Sequence, residues 1–183
     1  ADIAADYMAK ISEKTGRHYA PFTYYGDPEA DRIIIAMGSV TQTVEEVIDT
    51  LNAQGEKLGL IKVHLYRPFS AKYLLKVLPK SVKKIAVLDR TKEMGATGEP
   101  LYLDVCEVLK DTDIEVIGGR YGMGSKDTTA KAVKAVYDNL AKDKPQHPFT
   151  IGIVDDVTHL SLTEDPNFHV KTDATQCLFY GLG

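Results

Sequence analysis

The chain has 183 residues, of which 44% are hydrophobic and 26% charged, with a net charge of -4 and a pI near 5.7. That length accommodates one well-buried core with appendages, and the acidic balance gives no support for a principal role on nucleic acid, whose phosphates demand a basic face. No run approaches the roughly 18 apolar residues of a membrane span, and the first ten residues lack the basic region, apolar stretch and cleavage site of a secretory signal. A soluble cytoplasmic protein, neither secreted nor inserted in a membrane, is expected.

In chain order, residues 3–14 form a short helical pattern and lead into an aromatic group, Tyr19, Phe22, Tyr24 and Tyr25. These aromatics are expected to cover a core edge or a neighbouring domain rather than stack on bases. Residues 32–37 contain Ile33, Ile34 and Ile35, β-branched side chains suited to a strand buried on both faces. Val40, Val44, Val47, Ile48 and Leu51 then fall at helical spacing over residues 40–52, with Thr43 and Glu46 as a capping box and Gly55 as terminator. A second unit pairs a strand at 58–66 with a helix at 68–78, Pro68 opening the helix and Pro79 following it. The third runs from a strand at 84–89 through a loop at 90–97 to a helix at 100–110. The fourth joins a strand at 114–117 to a glycine-rich turn and a helix at 128–141, whose apolar face is Ala132, Val133, Val136, Tyr137 and Leu140.

Residues 143–148 resemble a linker and 149–154 a further strand. The polar stretch 157–174, with Pro166 and no sustained period, is expected to be ordered only where something else packs on it. Strands alternating with helices at this cadence predict an α/β fold: three layers, a mainly parallel sheet and helices on both faces. Three segments are expected: an arm at 1–31, an α/β domain at 32–144, and at 145–183 a connection with the first part of another domain. The chain starts without methionine and stops at residues 179–183, immediately after an apolar run. A piece of a longer polypeptide is therefore expected.

Ligands of such sheets bind beyond the strand C-terminal ends, which here carry Gly38 and Ser39, Tyr66 and Arg67, residues 89–93 and residues 118–126. The last is the most informative stretch, with Gly118, Gly119, Arg120, Gly122, Gly124, Ser125 and Lys126 ahead of a helix. Glycines admit positive φ and close backbone approach, and a following helix presents unpaired N–H groups to an anion. Arg120, Gly122, Gly124, Ser125 and Lys126 are the candidate ligand residues, for a phosphate or a carboxylate. The alternative is a glycine-rich turn bearing a solvated Arg and Lys. Neither nucleotide motif is matched, because residues 119–126 read G-x-x-x-x-G-S-K, with Ser and Lys reversed relative to a P-loop, and G-x-x-G-x-G is not the dinucleotide fingerprint.

Other constellations carry less. Asp155, Asp156 and His159 offer oxygen and nitrogen ligands but no evident fourth, so a capped turn with a surface histidine is the expectation. Residues 89–93 alternate in charge and place a carboxylate and a guanidinium at the rim, either for contact with a ligand or facing domain or as a solvated cluster. Arg67 offers the same contact or snorkels from a strand end. Cys106 and Cys177 lack metal-ligand spacing, so no zinc site or iron–sulfur cluster is encoded and both are expected as buried, reduced thiols. No G-x-S-x-G elbow appears, and no histidine is tied by spacing to a nucleophile. No catalytic residue is therefore assigned, and His18, His64, His147 and His169 are treated as isolated.

Several separated blocks, in order, carry a family likeness: residues 35–40 (IAMGSV), 65–70 (LYRPFS), 86–93 (AVLDRTKE), 98–102 (GEPLY), 118–126 (GGRYGMGSK) and 152–159 (GIVDDVTH). Together they resemble pyruvate:ferredoxin (flavodoxin) oxidoreductase from about Tyr24 onward. The resemblance implies an internal part of a large cytoplasmic, homodimeric enzyme that oxidatively decarboxylates pyruvate with coenzyme A as substrate. Thiamine diphosphate, magnesium and [4Fe-4S] clusters would be held by other domains, and electrons passed to ferredoxin or flavodoxin. It further implies a transketolase C-terminal-domain-like fold, partnered by other domains of the same polypeptide, with the glycine-rich rim holding coenzyme A phosphates. A purely structural scaffold and a freestanding nucleotide-binding enzyme are the alternatives. Residues 181–183 resemble the start of a glycine-rich loop of the next domain, and the isolated piece is expected to be inactive.

Overall fold

The computed structural model describes residues 1–171 together with Cys177 and Gly181. Five helices, α1 (Asp2–Thr15), α2 (Val40–Asn52), α3 (Ala71–Val77), α4 (Pro100–Leu109) and α5 (Ala130–Leu140), accompany six strands. The strands are β1 (Phe22–Gly26), β2 (Arg32–Met37), β3 (Leu58–Val63), β4 (Lys84–Asp89), β5 (Glu115–Arg120) and β6 (Phe149–Thr150), joined in one sheet in the order β1-β3-β2-β4-β5-β6. All neighbours run parallel except β1, which lies antiparallel on β3.

The apolar runs explain the layers. In β2, Ile33 and Ile35 join Ile61, Val63, Ile85 and Val87 under α3 and α4, represented by Leu74, Leu101, Val105 and Leu109. Ile34 and Ala36 join Leu60, Ala86 and Leu88 under α2 and α5, represented by Val44, Val47, Val133 and Val136. Side chains alternate across a strand, so two apolar faces require a continuous apolar run, and the three-layer, mainly parallel α/β architecture follows. No described helix is long and apolar enough to cross a membrane.

Several local expectations are corrected. The aromatic segment contains a strand, β1, with Phe22 buried and edge-on to Phe69 at 5.5 Å. Helix α2 already begins at Val40, so Thr43 and Glu46 lie within it rather than forming a capping box, and the Thr41 hydroxyl instead donates to Gly38 O at 2.8 Å. Strand β3 stops at Val63, and Pro68 precedes α3, because Ser70 is still extended ahead of Ala71. Strand β6 covers only Phe149–Thr150, and Gly152 turns the chain with φ +75. Cys106 is half-buried and Cys177 exposed, not both buried.

The stretch after residue 157 finds its packing within the chain. Thr150 N–H donates to Leu160 O and Leu162 N–H to Thr150 O, both at 2.9 Å, and Leu162 and Phe168 are buried against the α2/α5 layer. The terminal residues 179–183, with the resemblance at 181–183, lie, Gly181 apart, outside the described residues.

Strand β5 runs through Gly118 and Gly119 to Arg120, so the glycine pair belongs to the sheet and not to the turn. A Cβ on Gly118 would stand 2.8 Å from the Tyr102 ring, and one on Gly119 only 2.1 Å from the Phe149 ring. Bare backbone at these positions is what lets α4 and β6 close on β5. Gly119→Ala should lower the unfolding free energy by about 1–3 kcal/mol, the cost of overpacking a filled core. Urea denaturation of the chain checks this, and an unchanged midpoint would contradict the fit.

Candidate functional site

The strand order places a branch point between β2 and β4. From β2 the chain crosses through α2 to β3 on one side, whereas from β4 it crosses through α4 to β5 on the other. Loops leaving a parallel sheet in opposite directions open a crevice beyond the strand C-terminal ends. Here the crevice measures about 430 Å³ and is lined by Ser39 after β2, Arg90 after β4, and Tyr121, Gly122, Ser125 and Lys126 after β5. Thr43 and Glu46 of α2 form its wall.

Three of the five candidate residues, Gly122, Ser125 and Lys126, thus meet at one crevice, joined by Arg90, which the loop at 89–93 contributes. The geometry explains the glycine at 122, where φ is +62 and a Cβ would stand 2.8 Å from Arg90 Nε. Ser125 adopts φ +59, a left-handed conformation that costs a non-glycine residue about 1–2 kcal/mol. The turn is anchored where Tyr121 N–H donates to Asp89 O at 3.1 Å and the Tyr121 hydroxyl to Met37 O at 3.4 Å. Gly124, at φ +58, shapes the single 3-10 turn Met123–Ser125 without lining the crevice.

Two features differ from the sequence reading. Helix α5 does not follow the turn at once but starts at Ala130, and its N-terminus is capped internally by the Thr129 hydroxyl, which accepts from Ala132 N–H at 3.2 Å. The helix opening on the crevice is α2, whose flanking Ser39 makes no side-chain capping bond. Arg120, one residue before Tyr121 on an alternating strand, belongs to the other face. Its Nη1 donates to Glu99 Oε1 at 3.1 Å, with the Arg120 side chain 16% and the Glu99 side chain 8% exposed.

Glu99 is the residue that sequence reasoning missed. Its carboxylate also accepts from Glu93 N–H at 2.7 Å and lies 3.4 Å from Lys92 Nζ, so it ties the loop at 90–99 to the end of β5. Burial opposes its ionisation, but the Glu93 N–H, Arg120 and Lys92 together hold the carboxyl below its usual range. Asp89, expected at the rim, is buried instead and accepts from Leu101 N–H at 3.0 Å and Tyr102 N–H at 3.1 Å, capping α4. Burial raises its pKa despite those two bonds. The capping geometry follows from helix N–H groups that lack intrahelical partners.

The remaining candidates separate. Arg67 is exposed, pairs with Asp104 at 2.7 Å and stacks on the Tyr66 ring at 3.9 Å. His147 Nδ1 accepts from Gly118 N–H at 3.0 Å, which leaves the proton of the neutral ring on Nε2, 3.1 Å from the Tyr102 hydroxyl. Asp156 closes its own turn by accepting from Thr158 and from Ser161 N–H, and the Thr158 hydroxyl, first among these donors, holds its carboxyl at about 2. Asp155 stands 3.8 Å from Lys126 Nζ. Among the described residues no group of three His, Cys, Asp or Glu side chains is placed to hold a metal ion. Burial pushes the Cys106 thiol up, away from the thiolate that a nucleophile requires.

The family model described as pyruvate:ferredoxin oxidoreductase core domain II matches residues 30–133. The chain belongs to that family. Those bounds enclose β2 to β5, the crevice turn, the Glu99 ion pair and the start of α5. The chain is 53% identical to pyruvate:ferredoxin oxidoreductase of Moorella thermoacetica over 99% of its length, and 51% identical to pyruvate-flavodoxin oxidoreductase of Enterobacter agglomerans over 100%. It spans 16% of the length of each. Among solved structures, a split-gene transketolase described as an inactive beta4 tetramer overlaps 68% of this chain and 40% of its own, with 20% identity and a TM-score of 0.45.

The Glu99 carboxylate gives this core domain II a pH signature. An acid whose folded pKa is depressed contributes stability that is present above its unfolded value, near 4.5 here, and lost as pH falls through the folded value below it. Glu99→Gln should cost about 1–3 kcal/mol at pH 7, as expected when charge-assisted bonds are removed from a buried group. The difference from wild type should shrink steadily below pH 4.5. Urea unfolding at pH 7, 5 and 3.5 reads it, and a difference independent of pH would rule out the ion pair as its source.

Proposed function

We propose that this chain is one α/β domain of a pyruvate:ferredoxin or flavodoxin oxidoreductase and serves as a docking module between the parts that carry the chemistry. The family match and the 16% share of its relatives' length support this reading. The whole enzyme would decarboxylate pyruvate oxidatively to acetyl-coenzyme A and pass two electrons to ferredoxin or flavodoxin. It would do so as a cytoplasmic homodimer holding thiamine diphosphate, magnesium and [4Fe-4S] clusters. A [4Fe-4S] cluster takes four thiolates and this chain has two cysteines, Cys106 and Cys177, so no cluster step is assigned to its residues. The segment limits 1–31, 32–144 and 145–183 belong to the same proposal, with the first and last as connections to neighbouring domains.

The observation carrying a ligand role is the branch-point crevice, where Gly122, Ser125, Lys126 and Arg90 surround about 430 Å³. A phosphate of coenzyme A fits that chemistry: two cations, one hydroxyl at a strained backbone position, and a glycine turn that lets an anion approach the main chain. Gly124 sets the turn, and Arg120 supports it from the opposite face through Glu99. A second reading, a scaffold without ligand, is favoured by the partners the basic groups already have, Glu99 for Arg120 and Asp155 for Lys126.

Coenzyme A titration of the full-length oxidoreductase carrying Arg90→Ala and Lys126→Ala separates the two. Loss of two charge-assisted phosphate contacts should weaken coenzyme A by about tenfold or more, with pyruvate affinity unchanged. Unchanged coenzyme A affinity would leave the scaffold.

A further inference from the structure

Three of the most exposed large apolar side chains in the described chain sit at one end of the sheet. They are Val154 at 92%, Val157 at 89% and Met94 at 85% exposure. Met94 lies on the loop after β4, and Val154 and Val157 lie on the loop after β6, so both loops stand beyond the C-terminal ends of parallel strands. Val157 alone of the three lines a recess of about 270 Å³ that both loops help to form, with Lys92 from the first loop, Ile153 from the second, and Met123, Arg120 and Thr150. It lies across β5 from the branch-point crevice and shares none of the crevice's lining residues.

The ions of this rim neutralise one another. Arg120 and Lys92 are held by Glu99, Lys126 faces Asp155, and Asp156 is occupied by backbone and hydroxyl donors of its own turn. The Thr150 hydroxyl, in the recess lining, is buried without a hydrogen-bond partner among the described residues. Scattered apolar side chains on a surface are ordinary, whereas large ones exposed on the two loops that form a charge-compensated recess mark a contact face. Covering Val154, Val157 and Met94 removes apolar surface from water and so favours association. A charged partner would have to break ion pairs that are already made, and an uncharged one would not.

We infer that this rim, formed by Met94, Met123, Ile153, Val154 and Val157, is covered in the full-length oxidoreductase by an apolar, charge-poor segment of the same polypeptide. The inference rests on the docking role proposed above and specifies the face that docks and the chemistry of what covers it. The relatives supply the length for such a segment, since this chain matches 16% of each. The crevice on the other side of β5 is left open to solutes.

The test uses full-length enzyme with Val157→Cys or, separately, Thr43→Cys on the crevice wall. Maleimide labelling is followed by peptide mass spectrometry, with glutathione as the freely exposed reference thiol. A covered position reacts only through local opening, so Val157→Cys should label at least about tenfold more slowly than glutathione, at a rate independent of enzyme dilution. Labelling as fast as glutathione would overturn the inference, as would protection that disappears on dilution, which would assign the face to a second copy of the enzyme. If Val157→Cys is free while Thr43→Cys is protected, docking occurs through the crevice and only this face is wrong. If both are free, the docking role fails with it.

Discussion

Strand β5 is central to this molecule because two consecutive residues carry no side chain. At Gly118 the Tyr102 ring of α4 lies against the backbone from one face, and at Gly119 the Phe149 ring of β6 lies against it from the other. Those contacts bring α4 and β6 onto the same strand, and the strand's last residue and its continuation then fall on opposite sides of the sheet. Arg120 is delivered to Glu99, and Tyr121 to Met37 O at the branch point. Both candidate surfaces therefore take their position from one stretch of bare backbone.

Two carboxylates divide the work at the rim. Asp89 satisfies the first N–H groups of α4 and is buried for that purpose, while Glu99 gathers Arg120, Lys92 and the Glu93 amide around the loop between them. A buried ion pair is costly unless further hydrogen bonds satisfy its lone pairs, and Glu99 has them. The loop at 90–99 thereby becomes a fixed wall, which allows Arg90 to lie across Gly122 and Met94 to stand out from the surface. The crevice and the apolar rim are consequences of the same anchoring, one on each side of β5.

The basic groups of the glycine-rich stretch were legible as a set but not as a geometry. Strand alternation sends neighbours at 120 and 121 to opposite faces, but the apolar run that marks the strand ends at Ile117, three residues before β5 itself ends at Arg120. Arg90 was visible only as part of an alternating charge run; its place beside Gly122 depends on β4 and β5 being neighbours. The capping box at Thr43 and Glu46 fails because both residues lie inside the helix, which opens at Val40 beside the branch-point loop, where Gly38 and Thr41 close the first turn.

The sequence alone determined the layered α/β class, the extents of α2 and of β4, and the likeness to the oxidoreductase family. Apolar periodicity and glycine or proline punctuation are local properties, and they survive in any fold that buries the same faces. Only the tertiary structure decided which strands are neighbours, that residues 22–26 form an antiparallel edge strand, that Leu162 and Phe168 return to the core, and which cations share a crevice. Each of these depends on contacts between residues dozens of positions apart, whose closure is set by the packing of the whole sheet and not by any short segment.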